Sequence, residues 1–461
     1  MSSFEGLMVS VSGIRGRVGA GLTPEVVATY AAGFGAWATG LKPGRPVVVG
    51  RDSRVSGPLF HRVVLSALES VGCQVIDLGV VPTPTVQLAV EHHHAAGGLA
   101  ITASHNPVEW NALKFIGSSG LFLDQGDSLN FRTATDRGFA RATWDKLGAT
   151  VPDPDAVQRH LALILCLKYV DVAQVRARKL KVALDCVNGA GAEIMLALLD
   201  ALGCDVTAIH TEPDGRFPHA PEPVAENLGD LRALVIRSGA DIGLAVDPDV
   251  DRLAIVDELG NPVGEDYTLA FAAALVLRRS PGVVVTNLST SRVVEDAALA
   301  AGQRCLRAPV GEANVASAMQ LERAVIGGEG NGGVILPDLH LGRDAPAGAA
   351  LVLQLLCETG KTPSQLKAAS PRYEIVKDKL DRPDAPLGDV YAALRRVFPD
   401  AAVDTQDGLR LSWTDRWVHV RPSGTEPIVR VIAEAPTRAE AEALVSQSRE
   451  PLDELVRASA R

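Results

Sequence analysis

The sequence predicts an α/β fold: three similar domains built on mixed α/β sheets, followed by a smaller C-terminal α+β domain. Three observations predict it. At 461 residues the chain exceeds what one hydrophobic core can organise, so several domains are expected. A unit of β-branched run, polar glycine-containing loop, amphipathic helix pattern and second strand occurs three times. It reads RPVVVGRDSRVSGPLFHRVVLSALESVGCQVIDLG at 45–79, KLKVALDCVNGAGAEIMLALLDALGCDVTAIH at 179–210 and PGVVVTNLSTSRVVEDAALAAGQRCLRAPVG at 281–311. Beyond about residue 371 the pattern shifts to the short strands DGLRLSW, RWVHVRPS and IVRVIAEA, then a helix from Thr437 onward. Seams at VPDPD (151–155), DELGNP (257–262) and 361–371 divide the chain into expected domains at 1–153, 154–258, 259–370 and 371–461.

Composition narrows the function classes. Charged residues are 22% and hydrophobic ones 47%, ordinary for a soluble fold. A net charge of -10 argues against a nucleic-acid partner, because binding the phosphate backbone needs a basic excess. The N-terminus MSSFEGLMVSVSGIRG lacks the basic start and apolar core of a secretory signal, and no stretch reaches transmembrane length. A cytoplasmic protein without a membrane partner is expected, its oligomeric state left open. Six scattered cysteines without a C-x-x-C pair favour neither zinc nor a disulfide framework.

Taken along the chain, SGIRG (12–16) offers Arg15 in a glycine-flanked loop, and GRDSR (50–54) is expected to cap the helix that follows. EHHH (91–94) falls near the end of a helix pattern closed by Gly97 and Gly98, where imidazolium complements the dipole. In ITASHNPVEWNALKF (101–115) an apolar run ends in a loop, because Pro107 biases Asn106 away from helix. Two readings stand there: a surface turn, or a hydroxyl nucleophile, Ser104, with His105 and Lys114 as helpers. DIGLAVDPDVDRLAIVDELG (241–260) sets Asp247, Asp249 and Asp251 at alternate positions, where extended backbone would point all three carboxylates one way. Such a cluster repels itself unless a hard divalent cation such as Mg²⁺ sits among the acids, and Arg252 beside them suits a phosphate oxygen. In VIGGEGNGGVILPDLHLGRD (325–344), glycines around Glu329 and Asn331 would let a ligand approach the backbone, with carboxylate and amide able to read vicinal hydroxyls. WVHVRPSGTEPIVRV (417–431) combines Arg421, Ser423, Gly424, Thr425 and Arg430, the donors that a phosphate dianion needs.

TASHNP, DPDVDR, GEGNGG and RPSGTEP, in this order, resemble the motifs of the α-D-phosphohexomutase family: phosphoglucomutases, phosphomannomutases and phosphoglucosamine mutases. The resemblance spans nearly the whole chain and implies four domains around a central cleft, each supplying one motif. It implies that Ser104 is a phosphoserine giving its phosphoryl group to a sugar phosphate, with a hexose 1,6-bisphosphate as catalytic activator. Mg²⁺ would join Ser104 to Asp247, Asp249 and Asp251. Arg15, His105, Lys114 and Arg252 would surround the transferring group, with Lys114 the proton shuttle. Glu329 and Asn331 would hold sugar hydroxyls, and Arg421, Ser423, Gly424, Thr425 and Arg430 the phosphate that is not reacting. Many relatives close the sugar loop with serine, glycine and histidine, whereas this chain has Asn331, Gly332 and Gly333, so a histidine base there is impossible. That loop resembles the archaeal-type version and favours glucosamine phosphate over glucose or mannose phosphate. A metal-dependent phosphatase or a noncatalytic sugar-phosphate sensor would share some of these features. The first would not need a second phosphate grip, and the second would tolerate losing Ser104.

Overall fold

The computed structural model describes residues 6–11, 13–382, 386–422 and 428–459, whose strands form four sheets. Each sequence repeat is two parallel strands joined by a helix. Val47–Arg51 and Val75–Val80 flank the helix Gly57–Glu69; Lys181–Asp185 and Asp205–Ile209 flank Ala192–Ala201; Val284–Asn287 and Cys305–Ala308 flank Arg292–Ala300. Val47, Val48 and Val49 are all fully buried, as expected of a parallel strand covered on both faces.

The repeat extends further than the sequence pattern alone indicates. Each domain adds a third parallel strand beside the first of its pair: Gly97–Ile101, Ile242–Val246 and Ile326–Glu329. Each third strand then turns back into an antiparallel neighbour: Trp110–Gly117, Leu253–Val256 and Gly333–Leu336. Ser104, the three aspartates and Asn331 all lie in these equivalent turns, at strand carboxyl ends, where open α/β sheets place their working loops.

The fourth sheet is wholly antiparallel, and the helices Leu387–Val397 and Arg438–Ser459 supply its core from one face. Val418, Val420, Val429 and Val431 point into that core. The opposite face is polar and meets the third domain. There His419 Nδ1 lies 2.8 Å from Ser289 Oγ, and buried Glu434 accepts from Trp417 Nε1 (2.8 Å) and the Arg292 N–H (2.9 Å).

Several local expectations change. Gly97 and Gly98 do not stop a helix. The helix Thr83–His92 ends before His94, which takes a φ of 48°, and both glycines lie inside a fully buried strand. A Cβ on Gly97 would meet Ile116 O at 2.6 Å, so close sheet packing explains that residue. The 361–371 seam contains the helix Pro363–Ala368, with a capping box between Thr362 and Gln365. Among the described residues all six cysteines are free, and no helix is long and apolar enough to cross a membrane.

Candidate active site

Ser104 is 3% exposed and adopts a φ of +49°, a left-handed conformation that costs a non-glycine residue energy and needs support. Arg54 supplies much of it. Fully buried, it places all five guanidinium N–H donors: Nε on Asp52 Oδ2 (3.0 Å), Nη1 on the carbonyls of Pro107 (2.7 Å) and Trp110 (3.0 Å), and Nη2 on those of Ser104 (2.5 Å) and Asn106 (2.6 Å). Asp52 Oδ2 also accepts from Thr102 Oγ1 (2.7 Å), which in turn accepts from the Ser104 N–H (2.9 Å). GRDSR therefore does not cap the following helix, whose N-cap Ser56 makes no side-chain capping bond; it builds the floor of the serine loop. Arg15 reaches the same loop from the strand Gly13–Arg17, donating to Asn106 Oδ1 at 2.5 Å.

The serine hydroxyl donates to Asp247 Oδ2 at 2.9 Å and lies 3.3 Å from His105 Nδ1. Burial, then the charges of Arg252 and Arg15, hold the His105 imidazole well below its ordinary pKa, so it is neutral. Asp247, Asp249 and Asp251 converge, their ligand oxygens within 4.8 Å of one another, though not by strand alternation. They sit in a tight turn between the strands Ile242–Val246 and Leu253–Val256, with Val250 forced to a φ of +63°. Backbone bonds stitch the turn to its neighbours: Thr83 N to Asp249 O (2.9 Å), Ala345 N to Val250 O (3.2 Å) and Leu253 N to Gly332 O (3.0 Å). Lys114 Nζ contacts Asp249 Oδ2 at 2.6 Å and Asp251 Oδ2 at 3.5 Å, and Thr83 Oγ1 donates to Asp249 Oδ2 at 2.7 Å.

Burial and the neighbouring charges of Asp251 and Asp249 push Asp247 well above the carboxylate range. Burial also opposes the charge on Asp249, but Lys114 outweighs it and holds that group low. Asp249 Oδ1 and Asp251 Oδ1 are buried without a hydrogen-bond partner. Orphaned, clustered carboxylate oxygens are the donor set of a hard divalent cation, so these residues fit a metal ion. Arg252 ion-pairs with Glu222 (3.3 Å), which also lies 3.8 Å from His105 Nε2.

Glu329 ends its strand buried, accepting from Asn287 Nδ2 (2.9 Å), the Gly311 N–H (3.1 Å) and Arg343 Nη1 (2.8 Å). Burial opposes its charge, but Arg343 and these donors hold its pKa below the ordinary value. Asn331 Oδ1 accepts from the Gly333 N–H at 3.2 Å. The glycines of this loop make room for the protein's own atoms rather than for a ligand. A Cβ at Gly330 would meet Asp266 Oδ1 at 2.0 Å, at Gly332 the Leu253 O at 2.4 Å, and at Gly333 the Arg343 Cδ at 2.3 Å.

Arg421 and Arg430 face each other across the strands Trp417–Pro422 and Ile428–Ala435. Ser423, Gly424 and Thr425 lie outside the described residues. Arg421 pairs with Asp407 (3.0 Å), whose Oδ2 also accepts from the Val310 N–H (3.1 Å), next to the Gly311 that contacts Glu329. Arg430 lines a cavity of about 1070 Å³ that also touches Glu222, Glu265, Asp266 and Lys377.

Arg54 and Arg343 lie in stretches that the sequence singles out, but it marks neither them nor Thr83 and Glu312 as part of the site. The partners that place them there are mostly remote in the chain, and only a polar residue facing into an apolar strand-loop-helix unit would have hinted at them. A second cluster also emerges. Asp185 Oδ1 and Oδ2 take His210 Nδ1 and His219 Nε2, each at 3.0 Å, and His219 Nδ1 faces the Ala220 carbonyl at 2.9 Å. Both His219 nitrogens thus face acceptors, so both carry protons, and the Asp185 bond raises its pKa above the usual 6.5. The cluster braces the loop whose Gly215 abuts Ser53 O and whose Phe217 lies 5.0 Å under Arg54. A raised histidine pKa stabilises the fold fully below the unfolded value and loses that contribution as pH climbs through the folded one. The Tm gap between the protein and its His219→Gln variant should therefore be widest below pH 6.5 and shrink above it. A pH-independent gap would contradict the charged assignment.

Profiles of the phosphoglucomutase/phosphomannomutase family match the chain in four consecutive segments: α/β/α domain I at 7–136, domain II at 159–260, domain III at 264–373 and the C-terminal domain at 376–450. A probable phosphoglucosamine mutase of Methanopyrus kandleri is 38% identical, over 95% of this chain and 96% of its own. A phosphoglucomutase/phosphomannomutase of Thermococcus kodakarensis is also 38% identical with the same coverage. The crystal structure of a phosphoglucomutase/phosphomannomutase family protein from Burkholderia thailandensis superposes with a TM-score of 0.82 at 27% identity, covering 97% of each chain. Four matched domains in order, and relatives aligned almost end to end, lead to one conclusion: the chain belongs to the phosphoglucomutase/phosphomannomutase family, the α-D-phosphohexomutases, and is a hexose-phosphate mutase.

Proposed function

We propose that the enzyme moves a phosphoryl group between the 6 and 1 positions of a hexose phosphate through a phosphoserine at Ser104 and a hexose 1,6-bisphosphate. The observation that carries this reading is the Ser104 hydroxyl, bonded to Asp247 at 2.9 Å in a turn that also holds two orphaned carboxylate oxygens. In the first half-reaction the bond between phosphorus and Ser104 Oγ breaks while the substrate's free hydroxyl oxygen bonds to phosphorus and releases its proton. The bisphosphate then reorients, and its other phosphoryl group returns to Ser104. Mg²⁺ held by Asp247, Asp249, Asp251 and the phosphoserine would supply charge stabilisation to the transferring group.

The chain's own residues do the remainder. Arg15 and Arg252 hold oxygens of the transferring phosphoryl group, and neutral His105 adds a hydrogen bond at Oγ. Lys114, buried against Asp249 and Asp251, is protonated because their charges outweigh its desolvation; as the proton shuttle it protonates the departing Ser104 Oγ and takes up the proton released by the substrate hydroxyl, and the second half-reaction reverses both transfers. Arg421 and Arg430, with Ser423, Gly424 and Thr425, grip the unreactive phosphate. The two arginines are register partners, so their side chains leave neighbouring strands at the same level, where both can reach one anion. Holding either phosphate this way lets one site accept two opposite sugar orientations.

The preferred pair is glucosamine 6-phosphate and glucosamine 1-phosphate, with phosphoglucomutase/phosphomannomutase activity as the second reading. Asn331 keeps a lone pair on its amide oxygen for an amino group, Glu329 brings negative charge close by, and several relatives carry the name probable phosphoglucosamine mutase. The test is kcat/KM for the amino sugar phosphate against those of glucose and mannose, under equal bisphosphate priming. We expect a preference of about tenfold or more for the amino sugar, the scale of one charged hydrogen bond. A preference of that size for a neutral sugar overturns the substrate and leaves the phosphoserine chemistry standing.

A further inference from the structure

Arg343 ends the strand His340–Arg343 with its guanidinium buried where the second and third domains meet. Nε donates to Glu312 Oε2 (2.9 Å), Nη1 to Glu329 Oε2 (2.8 Å) and Nη2 to Asp251 Oδ2 (2.7 Å). One planar cation thus serves three buried carboxylates, from the helix Glu312–Glu322, the sugar loop and the aspartate turn. Without it, Glu312 and Glu329 would share one buried space with no cation bonded to either, and a buried pair of that kind takes up a proton or moves apart.

The seat of this side chain is made by Gly333. A Cβ there would stand 2.3 Å from Arg343 Cδ and 2.9 Å from Cγ, distances that real Cβ atoms do not tolerate. Gly333 is not among the residues of positive φ, so the backbone does not demand glycine at this position. The bar to a side chain is the arginine stem. Gly333 and Arg343 are therefore one device: the empty position admits the stem, and the stem delivers the charge to Glu329.

We propose that Arg343, seated over Gly333, is the positioning residue for sugar recognition, holding the Glu329 carboxylate aimed at a substrate hydroxyl while tethering it to the aspartate turn through Asp251. This rests on the reading of Glu329 as a hydroxyl acceptor. Arg343 acts through Glu329 and not on the phosphate, so its loss weakens recognition of the sugar and spares recognition of the phosphate.

The test is calorimetric binding to full-length protein in a Ser104→Ala background, which binds without turning over. The probes are glucose 1-phosphate, its monodeoxy analogues and inorganic phosphate. In the parent, deleting the hydroxyl that Glu329 reads should weaken binding about tenfold or more. Arg343→Gln should weaken glucose 1-phosphate by a similar factor, leave inorganic phosphate within about twofold, and reduce the deoxy penalty to near one. Gly333→Ala should reproduce this, and the double variant should be no worse than either single. If Arg343→Gln does not fold, Gly333→Ala carries the test. A deoxy penalty that persists in the Arg343 or Gly333 variants, while Glu329→Gln removes it, overturns the role of Arg343 alone. A parent with no deoxy penalty that Glu329→Gln removes overturns the reading of Glu329 and this inference with it.

Discussion

Ser104→Ala should abolish mutase turnover, lowering kcat by at least about 10⁴-fold, because it removes the hydroxyl, bonded to Asp247, that carries the phosphoryl group between half-reactions. The loss should be chemical rather than structural. The hydroxyl makes one bond to Asp247, worth about 1 kcal/mol, while the loop's shape comes from the Arg54 and Thr102 bonds to the backbone, which an alanine retains. Steady-state assay with bisphosphate priming, alongside a melting curve, checks both halves. A variant that folds like the parent and keeps measurable mutase turnover would require another phosphoryl carrier.

The second large effect is expected at the aspartates. Asp247→Asn should lower kcat/KM by at least about 100-fold, the scale seen when one preorganised electrostatic partner is removed from a transition state. Its effect on folding has the opposite sign. Three carboxylates within 4.8 Å repel one another, and Asp247 has no paired lysine or arginine comparable to Lys114 on Asp249 or Arg343 on Asp251. Burial and its two acidic neighbours already favour the neutral form of Asp247, so asparagine there should leave Tm unchanged or raised in metal-free buffer. Asp249→Asn differs, because it removes the nearer partner of the buried Lys114 charge, leaving only Asp251 at 3.5 Å, and should destabilise the fold by up to about 3–5 kcal/mol. Mn²⁺ titration of each variant, followed with melting curves, separates the two cases. An Asp247→Asn protein with parental turnover and metal affinity would remove the metal from this turn.

The repeats were legible because each depends on local pattern: a β-branched run, a helix-period stretch and a glycine before the second strand, as in 45–79. The acidic triad was legible because three carboxylates within five residues have few stable surroundings. The reason for its convergence was not, since whether 247–252 is extended or a tight turn depends on antiparallel pairing with Leu253–Val256. The glycines of 328–333 show the same limit. Glycine signals close approach, but only packing reveals that the approaching atoms belong to Asp266, Leu253 and Arg343. Arg54, Thr83 and Arg343 bond Ser104, Asp249 and Asp251 from 50, 166 and 92 residues away, so no short window of sequence shows that they serve the serine loop or the aspartate turn. GRDSR looked like a cap because its Asp and Ser are good capping residues. The tertiary demand of the serine loop won instead.

Between half-reactions the phosphoryl group is expected to rest on Ser104. Incubating the dephosphorylated enzyme with hexose 1,6-bisphosphate labelled in its phosphoryl groups, quenching during turnover and mapping peptides by mass gives that location directly. The expected result is close to one label per chain on Ser104, lost when unlabelled hexose monophosphate is added, and absent from Ser104→Ala. Full turnover with Ser104 unlabelled at every quench time would contradict it.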